Sequence, residues 1–176
     1  MKRLVLLLFI SQLFVNTGFA QNTADEPDWG DYISKDLDTV YTEFINSGAS
    51  IRLPLHFEPF TQGQYEGFIH KGTASTMIAQ FIDSASFISV TTNMNEETFL
   101  KQGAELISEI DLKTNEGRQA KAYIIRFTVK ETPINRIMFF TGDHQSTLLL
   151  TANYPELFAG ILKNVFIASF LTVKFK

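Results

Sequence analysis

The sequence predicts an α+β protein, an antiparallel sheet with helices packed on it. Short runs of alternating apolar and polar residues recur along the chain, joined by connections too short for parallel crossovers. Only a few segments carry a helical period, so strands outnumber helices. The 176 residues include 17 Phe, 5 Tyr and 1 Trp but no Cys, so a large apolar core and not disulfides must hold the domain.

The chain opens with Lys2 and Arg3, an apolar stretch Leu4–Ile10 that resumes at Leu13-Phe14-Val15, and the small-x-small exit Gly18-Phe19-Ala20. This order predicts a secretory signal over residues 1–20, cleaved after Ala20. The apolar core is interrupted by Ser11, Gln12 and Asn16 and falls short of the ~20 residues that a membrane span needs. Residues 21–38 are expected to form a flexible leader and residues 39–176 a single α+β domain. Net charge is −4, and removal of Lys2 and Arg3 takes it to −6. The bases do not cluster, which argues against nucleic acid and against a polybasic membrane contact.

Residues 32–46 carry both patterns. Ile33, Leu37, Val40, Tyr41, Phe44 and Ile45 fit a helical stripe, whereas Val40-Tyr41-Thr42-Glu43-Phe44-Ile45 is β-rich. The reading is a helix giving way to a strand near Thr39. Ile51, Leu53, Leu55 and Phe57 then alternate with Arg52, Pro54, His56 and Glu58, a half-buried strand that Pro54 places at an edge or bulge. Further strands are predicted at 66–71, 75–82, 105–112, 121–130, 134–141, 146–152 and 170–175. In 121–130, Tyr123, Ile125, Phe127 and Val129 share a face. Glu131-Thr132-Pro133 and Gly142-Asp143-His144-Gln145 are hairpin-length, so the strands from 121 to 152 form a meander.

Two helices are predicted. Residues 95–102 place acids first, a lysine late and Gly103 as stop. The second, 155–169, has Asn153 three residues before Glu156 as in a capping box, Pro155 in the first turn, and a stripe of Leu157, Phe158, Ile161, Leu162, Val165 and Phe166.

Several phrases resemble the PsbP/DcrB-like superfamily, which also includes the Ran-binding Mog protein. They are Gly48-Ala49-Ser50-Ile51-Arg52-Leu53-Pro54, Gly67-Phe68-Ile69-His70 with Ala74-Ser75-Thr76-Met77-Ile78, Thr98-Phe99-Leu100-Lys101-Gln102-Gly103, Asn153-Tyr154-Pro155 and Ser169-Phe170-Leu171. The resemblance spans about residues 48–175 and departs at Leu55-His56-Phe57, where the family usually leads to Pro-x-x-Trp. It implies a central sheet sandwiched by helices, accessory or binding roles, and no shared catalytic motif.

No constellation of reactive residues stands out. His56, His70 and His144 lack metal-ligand spacing and are expected on the surface. Asp143-His144 is the most loaded pair and the one weak candidate for metal or ligand, but Gly-Asp is also hairpin chemistry. No nucleophile elbow, His-Glu-x-x-His, P-loop or Gly-x-Gly-x-x-Gly occurs, so neither catalysis nor a cofactor is predicted. Asp25, Glu26 and Asp28 do not match a calcium loop, and Glu96-Glu97 fit the helix dipole. Arg126 and Arg136, on neighbouring strands, are expected as a solvated pair in preference to an anion site. The phenylalanines are expected in the core in preference to a ligand pocket. The resulting expectation is an exported, non-catalytic binding or accessory module for an envelope protein, periplasmic or secreted. A carrier of an apolar molecule or lipid between sheet and C-terminal helix is the alternative, and an undetected hydrolase the third.

Overall fold

A computed structural model describes residues 35–44, 47–62 and 65–175. The signal segment, its cleavage position at Ala20 and the leader through Ser34 lie outside the described residues. Strands β1 (Leu37–Phe44), β2 (Ala49–Pro54) and β10 (Lys174–Phe175) form a three-stranded sheet in the order β1-β2-β10. Strands β3 (Glu58–Gln62), β4 (Tyr65–His70), β5 (Ser75–Asp83), β6 (Glu105–Lys113), β7 (Gln119–Val129), β8 (Thr132–Gly142) and β9 (Ser146–Pro155) form a seven-stranded sheet ordered β3-β4-β5-β9-β8-β7-β6. Every pairing in both sheets is antiparallel. The α+β class read from the sequence, and the meander β7-β8-β9, are present.

The large sheet is apolar on both faces, as a central layer must be. Ala122, Ile124, Ile137, Phe139, Leu148, Leu150 and Ala152 point to one face, against helix α3 (Ala159–Leu171) and the small sheet's Ile51 and Leu53. Tyr123, Ile125, Phe127, Met138 and Phe140 point to the other, against helices α1 (Phe87–Thr91) and α2 (Glu96–Leu100). The Tyr123 hydroxyl donates to the Thr91 carbonyl at 3.0 Å and ties α1 to the sheet.

Several expectations are corrected. In place of a helix giving way to a strand near Thr39, β1 is already paired at Leu37, opposite Pro54. The alternating run from Ile51 stops at Pro54, because His56 is left-handed (φ 68°) and turns the chain into the separate strand β3. Asn153 does not cap a helix. It lies within β9, and the helix is entered through a 3-10 turn at Glu156–Phe158 with no side-chain cap. Leu157 of the predicted stripe is therefore 78% exposed, and Phe170, expected in a strand, is fully buried on α3. Its place in the apolar row Leu162, Val165, Phe166, Phe170 overrides the β-propensity of Phe-Leu-Thr-Val. The β7–β8 hairpin is tighter than predicted, with Lys130 (φ 46°) and Glu131 (φ 71°) as a two-residue left-handed turn.

Candidate functional site

The strand register places polar residues at both ends of the large sheet and apolar ones between. At the end where β9 runs into α3, Arg126 faces Asn135, Asn135 faces Tyr154, and His70 faces Ser75. These residues lie on the α3 side. His70 is buried, not on the surface as expected. Its Nδ1 accepts from the Thr73 amide at 3.1 Å, which assigns the remaining proton to Nε2. Thr73 Oγ1 lies 3.0 Å from the same nitrogen and donates to Ser75 Oγ at 2.8 Å. The exposed His56 ring approaches His70 to 6.5 Å, so two histidines distant in sequence do converge. A hydroxyl fully buried behind a second hydroxyl is nonetheless not a nucleophile presented to a base and a substrate.

Beside them, Arg126 is ion-paired to Glu156 and, at 3.8 Å, to Glu105. Arg126 Nε and Asn135 Oδ1 are buried without a hydrogen-bond partner. Burial pushes the Tyr154 phenol up to about 12. At the adjacent register positions, on the opposite face, Arg136 faces Asn153 and Asn153 faces Thr76. Arg136 Nε donates to Asn153 Oδ1 at 2.6 Å, and Asn153 Nδ2 donates to Thr76 Oγ1 at 3.1 Å. Arg136 is only 4% exposed, which corrects the expectation of a solvated arginine pair.

Asp143 and His144 occupy the β8–β9 turn at the other end of the sheet. Asp143 Oδ1 accepts from the amides of Gln145 (2.8 Å) and Ser146 (2.9 Å), and these bonds hold the carboxyl below its ordinary value. Its carbonyl accepts from Phe87 N–H, the first residue of α1. Gly142 is required by close approach and not by positive φ, since a Cβ there would lie 2.2 Å from Ser146 O. Among the described residues no three His, Asp or Glu side chains gather as metal ligands.

The same turn walls an open groove of about 390 Å³ between the two sheets. Asp143 and Ser146 form one side, Ser47 and Gly48 of the β1–β2 turn another, with Phe81, Arg118 and Phe175 completing it. The Arg118 guanidinium stacks 4.4 Å over the Phe175 ring and makes no ion pair with the described residues. Phe81 is 42% exposed. Sequence reasoning singled out Asp143 but not Arg118 or Phe81, which are brought beside it only by sheet closure.

No family model matches this chain, and no curated protein matches its sequence. Solved structures do. Cyanobacterial PsbP (CyanoP) from Synechocystis sp. PCC 6803 shares 13% identity, with 81% of this chain and 94% of that chain superposed at a TM-score of 0.58. LpqN, involved in cell envelope biogenesis of Mycobacterium tuberculosis, shares 10% identity over 82% of this chain and 95% of that one, at a TM-score of 0.53. The chain has the PsbP-like α+β fold.

Proposed function

We propose that the protein is an exported, non-catalytic accessory module that binds an envelope protein through the groove beside Asp143. The observation that carries this reading is the pair of opposite charges on the groove walls, Arg118 and Asp143, set among exposed phenyl surface. A stacked guanidinium and aromatic faces are the residue types that anchor protein contacts. Export is supported by the basic-apolar-small order of residues 1–20. The likeness to PsbP and LpqN supplies the fold on which such a role rests. The other group with reactive chemistry is tied inward, His70 Nδ1 accepting from Thr73 N–H.

The carrier reading draws less support. Where α3 meets the sheet, Phe57, Tyr154, Phe139, Phe166 and Phe170 pack ring on ring at centroid distances of 5.4–5.8 Å. The test is affinity capture of the tagged full chain from its host's envelope, wild type against Arg118→Glu. A protein partner retained by wild type and lost with the variant supports the module. A partner set indifferent to Arg118, or copurifying lipid in its place, contradicts it. N-terminal sequencing of the captured species should begin at Gln21.

A further inference from the structure

Arg136 is the charged side chain most deeply withdrawn from solvent among the described residues, at 4% exposure. It lies on the α1–α2 face of the sheet between the buried Ile134 and Met138, with its guanidinium carbon 5.0 Å from the centre of the Phe127 ring. Only its Nε–H is engaged, by Asn153 Oδ1 at 2.6 Å. No carboxylate of the described residues lies within 4.0 Å of it, whereas Arg126 on the neighbouring strand has two. Its terminal Nη groups make no hydrogen bond, and neither is among the buried, partnerless atoms, so both still reach solvent.

A buried cation without a counter-ion is costly, and proteins retain one where an anion completes it. Burial alone brings this guanidinium down to about 10, so it stays charged at neutral pH. The side chain is also fixed in place. Asn153 holds Nε and is itself held by Thr76 Oγ1 at 3.1 Å, and the Phe127 ring packs beside the guanidinium. That leaves the Nη edge presented as a fork, which suits two parallel hydrogen bonds to a planar oxyanion. One positive charge in largely apolar surroundings balances a monoanion.

We infer that Arg136, oriented by Asn153 and Thr76, is a receptor for the carboxylate of a small ligand with an apolar tail. This site is on the opposite face and at the opposite end of the sheet from the groove, so it stands apart from the accessory role. Hexanoate is the probe, with hexanamide as its uncharged isostere and inorganic phosphate as the other oxyanion. The readouts are calorimetric titration of wild type and variants, each expressed as the full chain, and, in wild type, the Nε–Hε resonance of Arg136. Hexanoate should shift that resonance to saturation with a Kd of about 1 mM or tighter, and neither hexanamide nor phosphate should. Arg136→Met should weaken hexanoate binding about 30-fold or more in protein that circular dichroism shows to be folded. Arg136→Lys, which keeps the charge and loses the fork, should also bind weakly and serves if the methionine variant does not fold. Saturation by phosphate alone, an equal response to hexanamide, undiminished affinity in the variants, or no response to hexanoate at 50 times that concentration would each overturn the assignment.

Discussion

Replacing Phe166 by alanine should remove a large share of the stability of the domain. The ring is fully buried on α3, 5.8 Å from the Phe57 ring and 5.4 Å from the Tyr154 ring. Burying a phenyl side chain is worth about 1.5–3 kcal/mol, and each ring pair adds roughly 0.5–1.5. Those figures bracket the ~3–5 kcal/mol measured for Phe→Ala in cores, where a residual cavity adds its own cost. Against a typical total of about 5–15 kcal/mol, such a loss is severe. At roughly 2–4 °C per kcal/mol, the melting temperature should fall by about 6–20 °C. Denaturant unfolding followed by fluorescence and by circular dichroism would measure it, with Asn164→Ala, an exposed position on the same helix, as control. A loss under about 1 kcal/mol at an unchanged denaturant slope would refute the placement of α3 as the seal on this face.

Other consequences are equally specific. Gly67→Ala would set a Cβ 2.3 Å from Met77 O and 2.8 Å from Ile78 Cγ2, so it should cost about 1–3 kcal/mol in thermal or denaturant unfolding. Asn153→Ala leaves Arg136 Nε without its acceptor and should cost about 1–3 kcal/mol or more, with Asn153→Asp restoring an acceptor. Asp143→Asn should show a pH-dependent deficit, because the wild-type carboxylate is held below its ordinary 3.8 by the turn amides. A depressed folded-state value means the charge-dependent stability is fully present above 3.8 and is lost as pH falls below it, so melting curves of the two proteins should converge in acid.

The sheet was legible where its residues are half-buried or fully buried in long runs. Tyr123, Ile125 and Phe127 alternate with Ile124 and Arg126, and the meander follows from that pattern and two short connections. Helix α2 was legible through chemistry local to it: the Asn95 side chain accepts from Thr98 N–H at 2.9 Å, Glu97 pairs with Lys101, and Gly103 is left-handed. Helix α1 was not, since five residues rich in Ile, Val and Thr carry a β-like composition and only Ser86 capping Ser89 N–H marks its start. The division into two sheets turned on His56, a non-glycine residue at positive φ for which composition offers no signal. The polar sites were the least legible. Arg136 looks like any strand arginine until Asn153 and Thr76, 17 and 60 residues away, are placed beside it by register. Arg118 and Asp143 likewise share a groove only because two turns from different sheets meet.

The accessory role is tested most directly by photocrosslinking from the groove itself. A photoreactive side chain at Phe81, on the groove wall and 42% exposed, is compared in the living host with one at Leu100, 70% exposed on α2. The account predicts one discrete adduct with an envelope protein from position 81, none from position 100, and loss of the adduct when Arg118 is changed to glutamate. Adducts of equal yield from both positions, or an adduct at 81 that survives Arg118→Glu, would contradict it.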